Sequence, residues 1–447
     1  MKSQNVMALS RHTTGSAGRW LPSVMVALAL AGHLPPVLRA QDTSKAEGVR
    51  VGLTYAPGIR PGVFIAPVTG TQSDSVRAIF ARDLDFGDRV TVIAPDGGEP
   101  PAGALNYALF AKLGAAAVVQ AVITPAGALH VAVHDVQGAR VMNVADFPLP
   151  ATALGPDWRM VVHAASDEVE RWITGQRGIA QTRIAFIRDS RLSMVDADGA
   201  NAQLVPGVGS ALSPAWHPSG RYLAYCQMLN DGTHIYVRDL QESSTRRVSD
   251  RGGSNITPTF SPDGATLVFA SGDDGMDLYA TSPFGGDGPR RVTIGRGSAN
   301  ASPSFSPDGR KIAFTSGRLG HPEVYITDAD GTNADLLTTS GFGDQLYRSN
   351  PDWSPDGRKV AFQSQINGVF QVMTINVRDR SVSGLTSEGR NEDPSWAPDG
   401  RHLVFTSTRS GAKQLWVIDA ESGRLRQLTR GGSSRMAAWS PRLDAAK

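Results

Sequence analysis

The chain has one cysteine, Cys226, in 447 residues. This excludes an internal disulfide framework, a cysteine-ligated zinc cluster and a CxxC redox pair. It has almost no excess charge: 44 Lys and Arg stand against 42 Asp and Glu, a net charge of +2. A disordered polyelectrolyte and a strongly basic nucleic-acid binder are both poor fits to that balance. It has no apolar run of the ~20 residues needed to span a bilayer. No G-x-S-x-G, P-loop or H-E-x-x-H occurs, so three common catalytic signatures are missing. What is abundant is turn chemistry, with 48 Gly and 28 Pro, and 40% of residues are hydrophobic. Many turns separating short apolar runs point to many short strands. The length allows two or three domains with ample core.

Residues 1–40 contain Lys2, Arg11, Arg19 and Arg39 and no acid. A short apolar run, LPSVMVALALAG, covers 21–32. Positive residues, a short apolar stretch and a small residue at Ala40 read as a cleaved secretory signal, with a cut after Ala31 as the alternative. A membrane anchor is the competing reading of the same run. Without residues 1–40 the balance is 40 basic to 42 acidic residues, or −2. No cysteine follows either cut, which excludes a lipid-anchored lipoprotein. The mature protein is expected to be exported and not membrane-spanning.

One motif repeats through the second half: PAWHPSGR at Pro214, PTFSPDGA at Pro258, PSFSPDGR at Pro303, PDWSPDGR at Pro351, PSWAPDGR at Pro394, and a truncated AAWSPRL at Ala437. The aromatic positions are Trp216, Phe260, Phe305, Trp353, Trp396 and Trp439, spaced by 44, 45, 48, 43 and 43 residues. Each unit reads as a strand ending in the aromatic, a tight Pro-Asp-Gly turn, and three further strands. Four short strands in about 45 residues make a propeller blade. The aromatic is assigned to the packing between blades. Residues 183–205 read as strands two to four of a blade without a first strand, and the last motif is a first strand with nothing after it. Joined, they complete a sixth blade and leave no free sheet edge between first and last blades.

Residues 41–178 lack the repeat. GVFIAPV (62–68), AAAVVQAVIT (115–124), LHVAVHDV (129–136) and the VMNVADFPL beyond it read as strands. Residues 73–84, 105–114 and 157–175 have helical spacing. The fold class is therefore multidomain: a 1–40 signal, a small N-terminal α/β domain over 41–178 with a mixed sheet, and an all-β six-bladed propeller over 179–447. The boundary is placed at 175–178. The leading QDTSKAEG (41–48) has no apolar content and is expected to be mobile.

Candidate chemistry is sparse. His130 and His134 share a strand face, where solvated histidines compete with a metal pair. His217, His234, His321 and His402 occupy different slots of different repeats; a metal-dependent propeller lyase or hydrolase would need them to converge. Asp196, Asp198 and Asn201 in DADGAN, and Asp328, Asp330 and Asn333 in DADGTN, resemble the start of a calcium loop but lack its closing Glu. Asp-Gly hairpin chemistry explains them as well. The PDG aspartates, Asp308 and Asp356 among them, read as turn residues. Cys226 reads as a buried, inert thiol. No cofactor or metal is assigned, with a calcium ion in the propeller channel left open. The loops entering the first strands carry Ala211, Asn255, Asn300, Arg348 and Asn391, then Ser213, Thr257, Ser302, Asn350 and Asp393. Such a polar ring either hydrogen-bonds a partner's loop at the channel mouth or satisfies its own turn backbones. A sugar or peptidoglycan-fragment binder would want mouth aromatics; only Phe342 and Tyr347 qualify.

The order of signal, α/β domain and six blades resembles the TolB family of periplasmic propeller proteins of Tol–Pal systems. The stretch HAASDEVERWITGQRGIAQTRIAFI (163–187) looks like that family's domain junction. The VRV at 49–51 and the terminal AAWSP also match its landmarks. The resemblance covers about residues 48–443. It implies a non-enzymatic, periplasmic, monomeric adaptor. Its propeller mouth would bind the peptidoglycan-associated lipoprotein Pal through Ser254, Asn255, Thr257, Asn300, Ala301, Ser302, Arg348, Ser349, Asn350, Asn391, Glu392 and Asp393. Its N-terminal segment, including Gln41, Asp42, Val49, Arg50 and Val51, would bind TolA, although QDTSKAEG is a longer polar lead than the family pattern. The family supports outer-membrane integrity and envelope constriction in cell division.

Overall fold

The computed structural model describes residues 60–94, 105–249, 251–272, 275–286, 288–295, 298–338 and 347–443. The expected signal, the N-terminal partner segment Gln41, Asp42, Val49, Arg50 and Val51, and Phe342 lie outside the described residues.

The first part is built on β1 (Gly62–Ile65), α1 (Ser73–Phe86), β2 (Thr91–Ile93), α2 (Tyr107–Lys112), β3 (Ala117–Ile123), β4 (Ala128–Asp135), β5 (Arg140–Pro148) and α3 (Pro156–Thr174). Its sheet order is β2-β1-β3-β4-β5. β1 runs parallel to both neighbours, and β3, β4 and β5 pair antiparallel, so the sheet is mixed as expected. β2 has only three residues and no apolar alternation long enough to mark it in the sequence. α3 starts with Pro156 in its first turn and stops at Gly175, whose φ of 78° suits a residue without a Cβ. α1 buries Val76, Ile79, Phe80 and Leu84, and α3 buries Val162, Ala165, Val169 and Ile173, against alternate residues of β1, β3 and β4. α2 covers the other face with Phe110 against Phe64 and Val118.

Six four-stranded sheets follow. Five are continuous in sequence: 211–247, 254–291, 300–336, 348–384 and 391–427. The sixth pairs Ser434–Trp439 with Arg183–Arg188, then adds Arg191–Asp196 and Gln203–Leu204. The ring closes by the strand exchange read from the sequence. The first-strand aromatics pack between blades as expected; Phe260, Trp353, Trp396 and Trp439 are buried there. A second aromatic set lies deeper. Phe186, Tyr225, Phe269, Phe314, Phe362 and Phe405, one per second strand, are at most 1% exposed. Each joins the core of the preceding blade, as Phe314 does with Val268, Ala270 and Leu278, and Phe405 with Ala361 and Val372.

Every innermost strand is bulged at the same place. Ser213, Thr257, Ser302, Asn350, Asp393 and Met436 all have φ between 46° and 54°, and the strand register shifts beside each. In five blades proline follows. Its missing N–H costs nothing on a strand whose outer edge faces the channel rather than another strand. The left-handed residue costs on the order of 1 kcal/mol, so the surrounding structure must hold it, and the hydrogen bonds described below do so.

The two parts meet where the Pro-Asp-Gly hairpins lie. Arg89 spans Glu170 of α3 and Asp399 of the fifth blade, each at 3.0 Å. Arg424 pairs with Asp85 and Asp88 at 2.7 and 3.0 Å. Arg159 of α3 and Arg82 of α1 both grip Asp198 at 2.7 and 3.0 Å. Asp167 of α3 accepts the backbone N–H groups of Ala180 and Gln181 at 2.7 and 3.0 Å. Those bonds clamp the connecting peptide, and burial pushes the Asp167 carboxyl up to about 7. A Cβ on Gly178 would stand 2.4 Å from Asp167 Oδ1, so this junction needs glycine there.

Candidate functional site

The inner strands surround a central channel with a cavity of about 580 Å³. The starts of these strands form one mouth. The described residues of the first part dock at the hairpin end, away from that mouth. The channel wall is lined by the bulge residues and the prolines after them. A polar belt runs along it. Thr257 Oγ1 accepts from Ser302 N at 3.0 Å, Ser302 Oγ donates to Asn350 Oδ1 at 3.1 Å, and Asn350 Nδ2 donates to Asp393 Oδ1 at 2.6 Å. Just inside, Asp352 accepts from Ser304 Oγ at 3.2 Å and Trp396 N at 2.7 Å. Burial raises both channel carboxyls, Asp352 to about 6.

The expected mouth residues divide into two groups. Thr257, Ala301, Ser302, Ser349, Asn350, Glu392 and Asp393 are half-buried, and Ser254 is exposed. Glu392 is held by Arg390 at 2.6 Å and Lys413 at 2.8 Å, and Arg348 is paired with Glu323 at 3.3 Å. Asn255, Asn300 and Asn391 depart from the expectation of an accessible ring, being 0% exposed. Asn255 Nδ2 donates to the carbonyls of Thr233 and Arg251. Asn300 Nδ2 donates to Asp277, and Asn391 Nδ2 to Gln371 Oε1 and the Glu388 carbonyl. They tie the loop between blades to the neighbouring sheet, which is the turn-satisfying alternative.

The histidines do not converge. His217 and His402 lie at the hairpin end, in blades one and five. His234 and His321 lie at the mouth end, in blades one and three, bound to Asp231 and Glu323. His134 is engaged by Tyr107 and Gln120, each at 2.9 Å, and His130 by Asp146 at 2.7 Å, so the two are held separately. Two clusters place a histidine with two carboxylates: Asp83, His163 and Asp198, and Asp88, His402 and Asp419. Both lie in the junction between the two parts. Arginines already neutralise them: Arg82 and Arg159 in the first, Arg401 and Arg424 in the second. They are ion-pair networks that hold the junction.

The twin DADG hairpins thus diverge. Asp328 and Asp330 serve their own turn, through Asn333, Lys311 and Thr332. Asp198 keeps the equivalent turn bond from Ala200 N at 2.9 Å, but Asp196 and Asp198 also accept Arg159, Arg183 and Arg82. Asp399 keeps the turn bond of its PDG equivalents, Oδ1 accepting from Arg401 N at 3.0 Å, but its other oxygen does different work. In the third and fourth blades Ser306 and Ser354 hold Asp308 and Asp356 at 2.6 Å. Blade five has Ala397 at that place, and Asp399 turns to His402 and Arg89. That serine-to-alanine difference is the one visible sequence sign of the junction.

Comparison with known proteins agrees with this architecture. The family model described as PD40, the TolB beta propeller domain, matches residues 170–443. The Tol-Pal system protein TolB of Gluconobacter oxydans is 28% identical over 218 residues, covering 46% of this chain and 47% of that protein. Its namesake in Thioalkalivibrio sulfidiphilus is 34% identical over 162 residues, covering 34% and 37%. The chain thus aligns with less than half the length of these relatives. The crystal structure of TolB from Acinetobacter baumannii shares the fold, with a TM-score of 0.73 at 24% identity over 86% of this chain and 98% of that one. Among the described residues no helix is long and apolar enough to cross a membrane.

Proposed function

The chain belongs to the TolB β-propeller family, and from that premise we propose that it is a non-enzymatic periplasmic adaptor of a Tol–Pal system. Its propeller mouth binds the peptidoglycan-associated lipoprotein Pal, and its N-terminal segment binds TolA. In this role it supports outer-membrane integrity and constriction during division. It acts as a monomer, without a cofactor, after removal of residues 1–40. One observation carries the reading: the mouth presents a belt of short hydrogen-bonding side chains over blades two to five, Thr257, Ser302, Asn350 and Asp393, along an open channel. Such a belt suits an inserted loop of a folded partner. The separate anchoring of His217, His234, His321 and His402 gives the lyase or hydrolase alternative no common centre to work from.

The test is calorimetric titration of the mature chain with the Pal-type lipoprotein domain of the same organism, beside an Asn350→Ala, Asp393→Ala variant. Saturable one-to-one binding, weakened at least tenfold in the variant, supports the reading. No binding by a folded wild-type chain overturns it. Replacing the buried Asn255, Asn300 and Asn391 would disturb the loops themselves, so they are unsuitable probes.

A further inference from the structure

Five arginines at the mouth end of the propeller lie over aromatic rings of their own or the preceding blade. Arg188 stands over Phe186 at 5.1 Å, Arg251 over Tyr279 at 4.1 Å, and Arg318 over Tyr325 at 4.4 Å. Arg390 stands over Phe370 at 4.9 Å, and Arg409 over Trp416 at 5.0 Å. They sit at four stations around the ring, at blades six, two, three and five, with Arg390 and Arg409 side by side at blade five. Four share a second feature. Their Nε–H groups donate to serine hydroxyls at strand ends: Arg188 to Ser434, Arg251 to Ser271, Arg318 to Ser316 and Arg409 to Ser407. Among the described residues these four guanidiniums have no carboxylate bonded to them, whereas Arg390 is paired with Glu392.

This arrangement differs from that of the junction. There, Arg82, Arg89, Arg159, Arg401 and Arg424 are paired with acids. The one stacked arginine without such a pair among the described residues of the junction, Arg426 over Phe86 at 4.3 Å, has its guanidinium buried. At the mouth, ring stacking and neutral hydrogen bonds fix the plane of the four serine-bonded guanidiniums. Arg188 and Arg318 make one such bond each, Arg251 a further bond to Tyr279 Oη, and Arg409 further bonds to Asn391 Oδ1 and the Glu388 carbonyl, with no anion among the described partners. A stacked guanidinium is oriented before binding, so less side-chain entropy is lost when a carboxylate docks. A carboxylate is also the group that matches its donor fork.

We propose that this arginine ring is a docking surface for an acidic protein surface, one that presents Asp and Glu side chains around the loop entering the channel. The inference rests on the adaptor reading above and adds the charge of the partner to it. Sugar or peptidoglycan fragments taken up at the mouth are the competing occupants.

The test uses the mature full chain and four probes: the Pal-type lipoprotein domain, a labelled hexaglutamate peptide, a labelled hexalysine peptide and muropeptides. The variants are Arg318→Glu with Arg409→Glu at the mouth, and Arg310→Glu with Arg378→Glu at the hairpin end as a charge-matched control. Arg318→Ala with Arg409→Ala guards against misfolding by charge reversal, and melting curves confirm folding. The expected result is that hexaglutamate binds at low salt and hexalysine does not. The mouth variant weakens hexaglutamate and the lipoprotein domain at least tenfold, the control variant less than twofold. Raising salt weakens the wild type more steeply than the mouth variant. Equal binding of hexaglutamate by wild type and mouth variant overturns the arginine-ring inference, whatever the lipoprotein does. Hexaglutamate binding lost in the mouth variant, with no binding of the lipoprotein domain to wild type, overturns the adaptor reading and leaves the acidic-surface inference standing. Tighter binding of muropeptides than of the lipoprotein domain or hexaglutamate, unaffected by the mouth variant, overturns both.

Discussion

His402 and Asp88 face each other at 3.2 Å across the junction between the propeller and the N-terminal part. The other ring nitrogen of His402 is 2.8 Å from Asp399. Both nitrogens can donate to carboxylates only when the ring is protonated. Burial opposes that charge, but the bonds to Asp399 and Asp88 outweigh it and raise the His402 pKa above its ordinary value. Asp399 is also buried, yet His402 and Arg89 hold it well below the usual carboxylate range. Arg89 approaches from the turn after α1, Arg424 and Arg426 from the last hairpin of blade five, and Arg401 with Asp419 from the histidine's own hairpin. Glu170 faces it from α3.

A pH dependence follows from the sign of these shifts. A histidine whose folded pKa is raised stabilises fully below its unfolded value of ~6.5, and that gain disappears as pH rises through the folded value. The carboxylates Asp88 and Asp399, lowered in the folded state, contribute above ~3.9 and lose that contribution as pH falls. Thermal melts from about pH 6 to about pH 9 should show a declining midpoint. Asp167, raised to about 7, declines in the same sense, so the control is His402→Gln. That variant should lose about 2–3 kcal/mol near pH 6 and show a flatter profile. An equally steep profile in the variant would rule out His402 as the source.

The twin DADG hairpins give a second prediction. Asp198 is 1% exposed at its side chain and paired with two arginines; Asp330 is exposed and serves its own turn. Asp198→Ala leaves the half-buried Arg159 without its shortest carboxylate contact and should cost about 3 kcal/mol in urea unfolding. Asp330→Ala should leave the midpoint essentially unmoved. Similar losses in the two variants would mean that the junction does not depend on Asp198.

The contrast between these hairpins also marks what a sequence can reveal. The blade is legible because its signals are local. Proline at an unpaired inner edge, glycine at positive φ and the serine-aspartate turn all lie within eight residues. The ring closure was legible because a strandless start and a lone final strand complement each other. The junction was not, because Asp88 and His402 are 314 residues apart, and Ala397 in place of the turn serine tells Asp399 from Asp356 without saying what it meets. The mouth was half legible. Periodicity identified equivalent positions, but not side-chain direction. Just before a left-handed bulge, Asn255 turns into the blade loop and Thr257 toward the channel.

The two aromatic sets differ in depth, and so should their substitutions. Phe314 is fully buried among Val268, Ala270 and Leu278 of the preceding blade. Phe314→Ala should cost about 3–5 kcal/mol. Phe305, the repeat aromatic beside it, is only half-buried against the same cluster, and Phe305→Ala should cost about 1–2 kcal/mol on its smaller buried area. Paired denaturant melts decide the order; a reversed order would place the main contact between blades in the first strand.

Cys226 offers a probe of the whole ring. It is fully buried on the second strand of blade one, packed with Phe260, Leu267 and Phe269 of blade two. Burial pushes its thiol up to about 12, so almost no thiolate exists at neutral pH even if reagent arrives. The folded chain should therefore react with an aromatic disulfide reagent at least ~10³-fold more slowly than the urea-unfolded chain. Because the sixth blade is closed by strands from both ends of the propeller, separating blades one and two requires distortion around the ring rather than at one seam. Phe269→Ala should speed labelling by loosening the local seam, and Trp439→Ala should speed it by loosening the distant closure. If only Phe269→Ala accelerates labelling, blade opening is local and the closure does not support blade one. If both do, the closing strand stabilises a seam two blades away.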